Sequence, residues 1–116
     1  MCIRDSILNF AVRRTTDDDF ERVMVTGAEA VGLLMQRCRP AGTFVQCSSA
    51  AVYRPPGGRP AREEDPLGDH HALQLPTYSI GKIAAEAVAR SGARAFGLPT
   101  VIARLGVPYG LSLIHI

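Results

Sequence analysis

The sequence predicts an α/β protein: a parallel sheet of about three strands with two long helices, a piece of a doubly wound sheet truncated at both ends. Two observations carry this. Apolar runs of strand length at residues 7–12, 43–47 and 100–104 alternate with two stretches of helical periodicity. Such alternation implies parallel βαβ units with right-handed crossovers. In addition, small hydroxyl, aromatic and glycine residues gather where those strands end, and open parallel sheets bind ligands beyond the carboxyl ends of their strands. A small α+β domain is the competing arrangement.

Each element has a local cause. Ile7-Leu8-Asn9-Phe10-Ala11-Val12 is a short apolar run bounded by the polar turn 13–16. Asp17, Asp18 and Asp19 then open a helix, where carboxylates meet the positive end of the helix dipole. Phe20, Val23, Met24, Ala28, Val31, Leu34 and Met35 recur at helical spacing, with Gly27 and Gly32 weakening the helix locally. Pro40-Ala41-Gly42 ends it, and the strand 43–47 follows, closed by Ser48-Ser49. Pro55-Pro56-Gly57-Gly58-Arg59-Pro60 reads as a turn cluster, since its prolines remove backbone donors and it leads into a loop. The second helix begins near Pro76-Thr77 and runs to about Phe96, with Ile80, Ala84, Ala87, Val88 and Ala95 expected on its buried face. Gly97 before Pro99 is a C-terminal stop, and the last strand is 100–104.

Composition bounds the function. A chain of 116 residues is one domain at most, with a modest core. Its hydrophobic fraction of 47% is ordinary for a globular protein. A net charge of +2 with no basic stripe or aromatic platform argues against nucleic acid. No apolar stretch approaches the ~20 residues of a membrane span, and the N-terminus lacks the charged-then-apolar order of a signal peptide. Cys38 and Cys47 form no Cys-x-x-Cys and are expected as ordinary buried thiols, which favours a cytoplasmic location. His70-His71 has no third ligand at metal spacing, so no metal site is expected. Ser48-Ser49 lacks the Gly-x-Ser-x-Gly elbow of a hydrolase nucleophile.

Tyr78-Ser79-Ile80-Gly81-Lys82 carries the sharpest chemical signal. A phenol with an ordinary pKa near ~10 is a poor acid or base at neutral pH. A lysine ammonium one helical turn away shares its face of the helix, stabilises the phenolate and brings proton transfer into the working range. A serine hydroxyl at a strand end can then bond an oxygen that gains and loses charge. Tyr-x-x-x-Lys also occurs by chance in helices, so the surrounding residues matter.

Those residues resemble the extended short-chain dehydrogenase/reductase family, the NAD(P)-dependent epimerases and dehydratases. The matching elements are Ser48-Ser49, Val52-Tyr53, the loop Glu63-Glu64-Asp65-Pro66, Tyr78/Lys82, Glu86, Arg104 and Tyr109-Gly110, in the family's order. The resemblance implies a central fragment of a Rossmann-like domain, from its fourth strand to its sixth, and NAD or NADP as cofactor. It further implies catalytic roles for Ser49, Tyr78 and Lys82, with Tyr78 as general acid/base and Lys82 lowering its pKa and bonding the nicotinamide ribose. Ala11, Val12 and Gly106, together with Tyr78 and Lys82, match cofactor-binding positions. Ser48 is expected to support the turn, and Glu86 to be a helix-surface or ion-pair residue. A small-molecule substrate is the partner to expect, and the family allows a homodimer of the full-length protein. The alternative is a non-catalytic dinucleotide sensor of the same fold.

There are departures from the family pattern. Val107 stands where an Asn often contacts nucleotide sugars, which disfavours that substrate class. The glycine-rich turn that cradles a dinucleotide pyrophosphate at a helix N-terminus is absent from the sequence. The ends explain part of this. Met1-Cys2-Ile3-Arg4-Asp5-Ser6 is encodable by ATGTGTATAAGAGACAG plus one base, and the reverse complement plus one base encodes Leu111-Ser112-Leu113-Ile114-His115-Ile116. Residues 1–6 and 111–116 therefore read as translated sequencing adapter, which leaves 7–110 as the central part of an NAD(P)-binding domain.

Overall fold

Three strands, β1 (Ser6–Asn9), β2 (Thr43–Ser49) and β3 (Thr100–Leu105), pair in parallel in the order β1-β2-β3. This is a computed structural model that describes residues 5–11, 20–55, 57–68 and 76–106. Parallel neighbours need crossovers, and the helices supply them. Between β1 and β2 run α1 (Phe20–Met24), a π-helical segment (Val25–Glu29) and α2 (Ala30–Arg37); between β2 and β3 runs α3 (Pro76–Phe96). The expected helix start at Asp17, Asp18 and Asp19, the His70-His71 pair, Val12 and residues 107–116 lie outside the described residues.

Side chains on β2 alternate with period two: Phe44, Gln46 and Ser48 are buried, and the residues between them only half-buried. The buried face meets the helices. Phe44 packs with Val31, Met35, Ala85, Ala89 and Leu98 into one core. Burying a phenylalanine of this kind contributes ~1.5–3 kcal/mol. On the other face Leu8 and Val101 flank Val45 in register and are 61% and 53% exposed. The described residues thus form one sheet with its helices on one side, the half-layer of a doubly wound fold.

Helix α3 starts at Pro76, whose missing N–H costs nothing at a first helical position. It ends at Gly97, where φ is 61°, a left-handed turn that glycine adopts without strain. The excursion between β2 and α3 is tied at its base. Tyr53 bridges Leu67 antiparallel, and the Gly68 amide donates to the Val52 carbonyl at 2.7 Å. Gly57 and Gly58, with φ of 66° and 86°, make the turn expected of the Pro/Gly cluster. Arg59 grips Asp65 with two hydrogen bonds of 2.8 Å and, with the Arg62 amide, pulls its carboxyl down to about 2.

Three expectations need correction. The buried stripe of α3 is not Ile80, Ala84, Ala87, Val88 and Ala95: Ala87 and Ala95 are exposed, and Ser79, Lys82, Ala85, Glu86, Ala89 and Gly92 face inward. Apolar periodicity misplaced the face because two of its inward positions are charged. Phe20, counted with the first helix's apolar set, is 59% exposed. Cys38 and Cys47 are half-buried rather than buried, and both are free thiols. Among the described residues, no helix is long and apolar enough to cross a membrane, and no group of three or more His, Cys, Asp or Glu is placed to hold a metal.

Candidate active site

A cleft of about 200 Å³ opens between the first helical segments, α3 and the carboxyl end of the sheet. Tyr78, Gly81 and Lys82 form its α3 wall, Val23, Thr26 and Gly27 the opposing wall, and Gln46 and Ala11 the sheet side. The two walls approach closely because both are glycine at the crossing: a Cβ on Gly27 would lie 3.3 Å from the Gly81 carbonyl oxygen. A Cβ on Gly81 would collide with Val23 Cγ1, a buried and β-branched side chain with little freedom to move. Gly81→Ala is therefore expected to destabilise the fold by about 1–3 kcal/mol in a urea titration. At Gly92 a Cβ meets the flexible Met35 Sδ at 2.8 Å, so Gly92→Ala should cost less. Equal stability of the two variants would contradict this packing.

Lys82 enters the cleft from a nearly buried position. Its Nζ donates to the Cys47 carbonyl at 3.0 Å and lies 5.9 Å from the Tyr78 ring centroid, within cation–π range. Burial lowers its pKa below the ordinary lysine value, with Cys47 opposing the shift. The same Cys47 oxygen accepts from Gln46 Nε2 at 3.1 Å, and Gln46 Oε1 accepts from Asn9 Nδ2 at 2.9 Å. A polar chain from β1 through β2 thus fixes the carbonyl that holds Lys82. Asn9 and Gln46 escaped the sequence reading; the available signal was a polar residue on the period-two face of an otherwise apolar strand.

Ala11 lines the cleft. Ser49 ends β2 on the same rim, but its Oγ accepts from the Ala51 amide at 3.2 Å and is not part of the cleft lining. Ser49, rather than Ser48, supports the turn. Ser48 Oγ instead donates to Glu86 Oε1 at 2.6 Å in the interior. Gly106 follows β3 at the carboxyl end of the sheet, is exposed and is not among the residues lining the Tyr78 cleft.

Glu86 is fully buried, so it is not a surface residue; of the two roles expected for it, the ion pair is what the structure shows. Arg104 grips it with Nε and a terminal nitrogen, both at 2.9 Å, and Arg90 adds a bond of 2.8 Å. Burial opposes its ionisation, yet the Arg104, Ser48 and Arg90 hydrogen bonds outweigh this and hold the carboxyl below the usual carboxylate range. The Glu86 bonds raise the Arg104 pKa in turn. Arg104 also donates to the Glu63 carbonyl at 2.9 Å and stacks over the Tyr53 ring at 4.7 Å. Ser79 Oγ is buried with no hydrogen-bond partner among the described residues.

The fold and the site together define a class: a Rossmann-like α/β protein with a tyrosine and a lysine of one helix in a cleft at the carboxyl rim of a parallel sheet. The chain belongs to the NAD dependent epimerase/dehydratase family, whose profile matches residues 5–113. Its fold is similar to that of UDP-glucuronic acid 4-epimerase from Bacillus cereus, solved with NAD, at 21% identity and a TM-score of 0.72, over 91% of this chain and 33% of that one. It is also similar to DesIV, a dTDP-glucose 4,6-dehydratase from Streptomyces venezuelae, at 26% identity and 0.70 over 86% of this chain and 31% of that one. A UDP-N-acetylglucosamine 4-epimerase from Methanobrevibacter ruminantium gives 21% and 0.70 over 86% and 32%. The chain spans about a third of the length of these neighbours. No curated protein matches significantly.

Proposed function

We propose that this chain is the central portion of an NAD(P)-dependent oxidoreductase, epimerase or dehydratase, acting on a hydroxyl or carbonyl of a small-molecule substrate. The observation that carries the reading is that Tyr78 and a carbonyl-anchored Lys82 share one cleft at the sheet's carboxyl rim. The same proposal takes residues 7–110 as the family portion and 1–6 and 111–116 as translated adapter; it rests on the complementary coding of the two ends, while the family match itself runs over residues 5–113. Two free cysteines fit a reducing cytoplasm.

The residues present fit the nicotinamide–ribose end of a dinucleotide. The cleft offers an apolar wall at Val23 and Val31 and a cation at Lys82. The sequence holds no glycine-rich turn for the pyrophosphate. A bound nicotinamide supplies hydride acceptance and return. Within the chain, Tyr78 takes the proton of the substrate hydroxyl as the alcohol is oxidised, and gives one back when the carbonyl is reduced. Lys82 has three donors, one of them on Cys47, and can direct another toward the ribose or the phenolate. Ser49 orients the substrate oxygen once its hydroxyl proton turns outward, and Ala11, Val12 and Gly106 are assigned to the cofactor by the family resemblance.

The test is binding of NAD+ by titration calorimetry to the full-length gene product and to the 116-residue chain in parallel. The full-length protein is expected to bind and to carry a glycine-rich turn upstream of Ile7. The 116-residue chain is expected not to bind. A full-length protein without that turn and without NAD(P) affinity would overturn the proposal.

A further inference from the structure

Lys82 is the only lysine in the sequence, and its position depends on how α3 is rotated against the sheet. Beside the close packing at Gly81 and Gly92, two polar contacts bear on that rotation. Lys82 bonds the carbonyl of Cys47, and Glu86, one turn further along α3, accepts from the side chain of the next residue, Ser48. Ser48 is paired in register with Arg104 on β3, and both donate to the one Glu86 carboxylate. Arg104 then runs on to the Glu63 carbonyl and the Tyr53 ring in the excursion that precedes α3. A single buried carboxylate therefore joins β2, β3 and α3, and through Arg104 the loop.

We propose that Glu86 is a positioning residue: by clamping Ser48 and Arg104 it fixes the register of α3, and so holds the Lys82 ammonium on the Cys47 carbonyl beside Tyr78. The proposal rests on the reading of Tyr78 and Lys82 as the proton-transfer pair, and it adds a residue that touches neither substrate nor cofactor. Its arrangement suits the task. The carboxylate accepts three hydrogen bonds from the two arginines and one from a hydroxyl, so its orientation is over-determined, and charge-assisted bonds of this kind are the strong ones. Apolar packing alone leaves α3 freer to rotate, because its inward positions Ala85, Ala89 and Gly92 are small.

A single lysine makes the test direct. Isotope-labelled lysine gives one side-chain signal in the 116-residue chain, whose titration reports the surroundings of Lys82; Tyr78 and Cys47 are the titratable groups beside it. In Glu86→Gln the midpoint is expected to rise toward that of a free lysine, by about half a pH unit or more, as the ammonium leaves its buried seat. Loss of a neighbouring negative charge alone would lower it, so the direction separates the two causes. Ser48→Ala, a milder change that keeps the chain folded, should shift the midpoint the same way by less. Met35→Ala, a core change outside the network, should lower thermal stability and leave the midpoint in place.

An unchanged or lowered midpoint in both Glu86→Gln and Ser48→Ala overturns the proposal, as does an equal rise in Met35→Ala. A full-length Tyr78→Phe enzyme of undiminished turnover overturns the catalytic reading on which the proposal rests, whichever way the lysine signal moves. If Tyr78→Phe is inactive and the midpoint stays put, the positioning role alone fails.

Discussion

Tyr78→Phe in the full-length enzyme is expected to lower kcat by about 10²–10⁴-fold, the usual contribution of a positioned general acid/base. The substitution is confined to the hydroxyl. A phenyl ring keeps its place in the cleft wall and still presents a face to Lys82 Nζ, 5.9 Å from the ring centre. Folding and NAD+ binding should therefore persist while turnover collapses. Steady-state turnover and NAD+ titration on the same preparation check this. A loss of both together would mean that the ring, not the proton, had been removed from its place.

Glu86→Ala is expected to be strongly destabilising, costing about 3–5 kcal/mol, the usual penalty for stripping one partner from a buried ion pair. It leaves the Arg104 guanidinium, whose side chain is only 13% exposed, without its partner, and Ser48 without its acceptor. Urea denaturation at neutral pH measures the loss. The pH dependence follows from the lowered carboxyl. The folded chain binds fewer protons at Glu86 than the unfolded chain, so its stabilisation is fully present above an unfolded carboxyl pKa of about 4.3 and is lost as the pH falls through the lower folded value. Glu86→Gln should remove that part of the acid sensitivity. An acid transition of equal depth in the variant would mean that the ion pair contributes nothing there.

The alternation of strands and helices, the limits of α3 and the placing of Tyr78 and Lys82 one turn apart could be read from the sequence because local rules decide them. Gly97 stops α3 where a left-handed residue is needed, and Pro76 starts it. The Pro/Gly cluster makes the turn its residues favour. The side chains facing inward were less legible. Lys82, Glu86 and Ser79 occupy the buried stripe of α3, and polarity alone would put them in water. The burial of Lys82 and Glu86 depends on partners from distant parts of the chain: the Cys47 carbonyl for the one, Arg104 and Ser48 for the other. The π-helical segment Val25–Glu29 has no composition signature beyond Gly27; it arises where Thr26 Oγ1 turns back to the Arg22 carbonyl at 2.6 Å and Gly27 meets Gly81. Ser48 and Ser49 were told apart only by the strand's length: β2 runs through Ser49, so period two sends Ser48 to the core and leaves Ser49 for the turn.

The most direct test of Tyr78 as the proton-transfer residue is rapid mixing of the full-length enzyme with NAD+ and a panel of nucleotide sugars and simple secondary alcohols, followed by absorbance of the reduced nicotinamide. With at least one substrate the wild-type enzyme is expected to form it within a turnover, and Tyr78→Phe, at equal NAD+ occupancy, to form it about 100-fold more slowly or worse. Formation at the same rate in both enzymes would contradict the account.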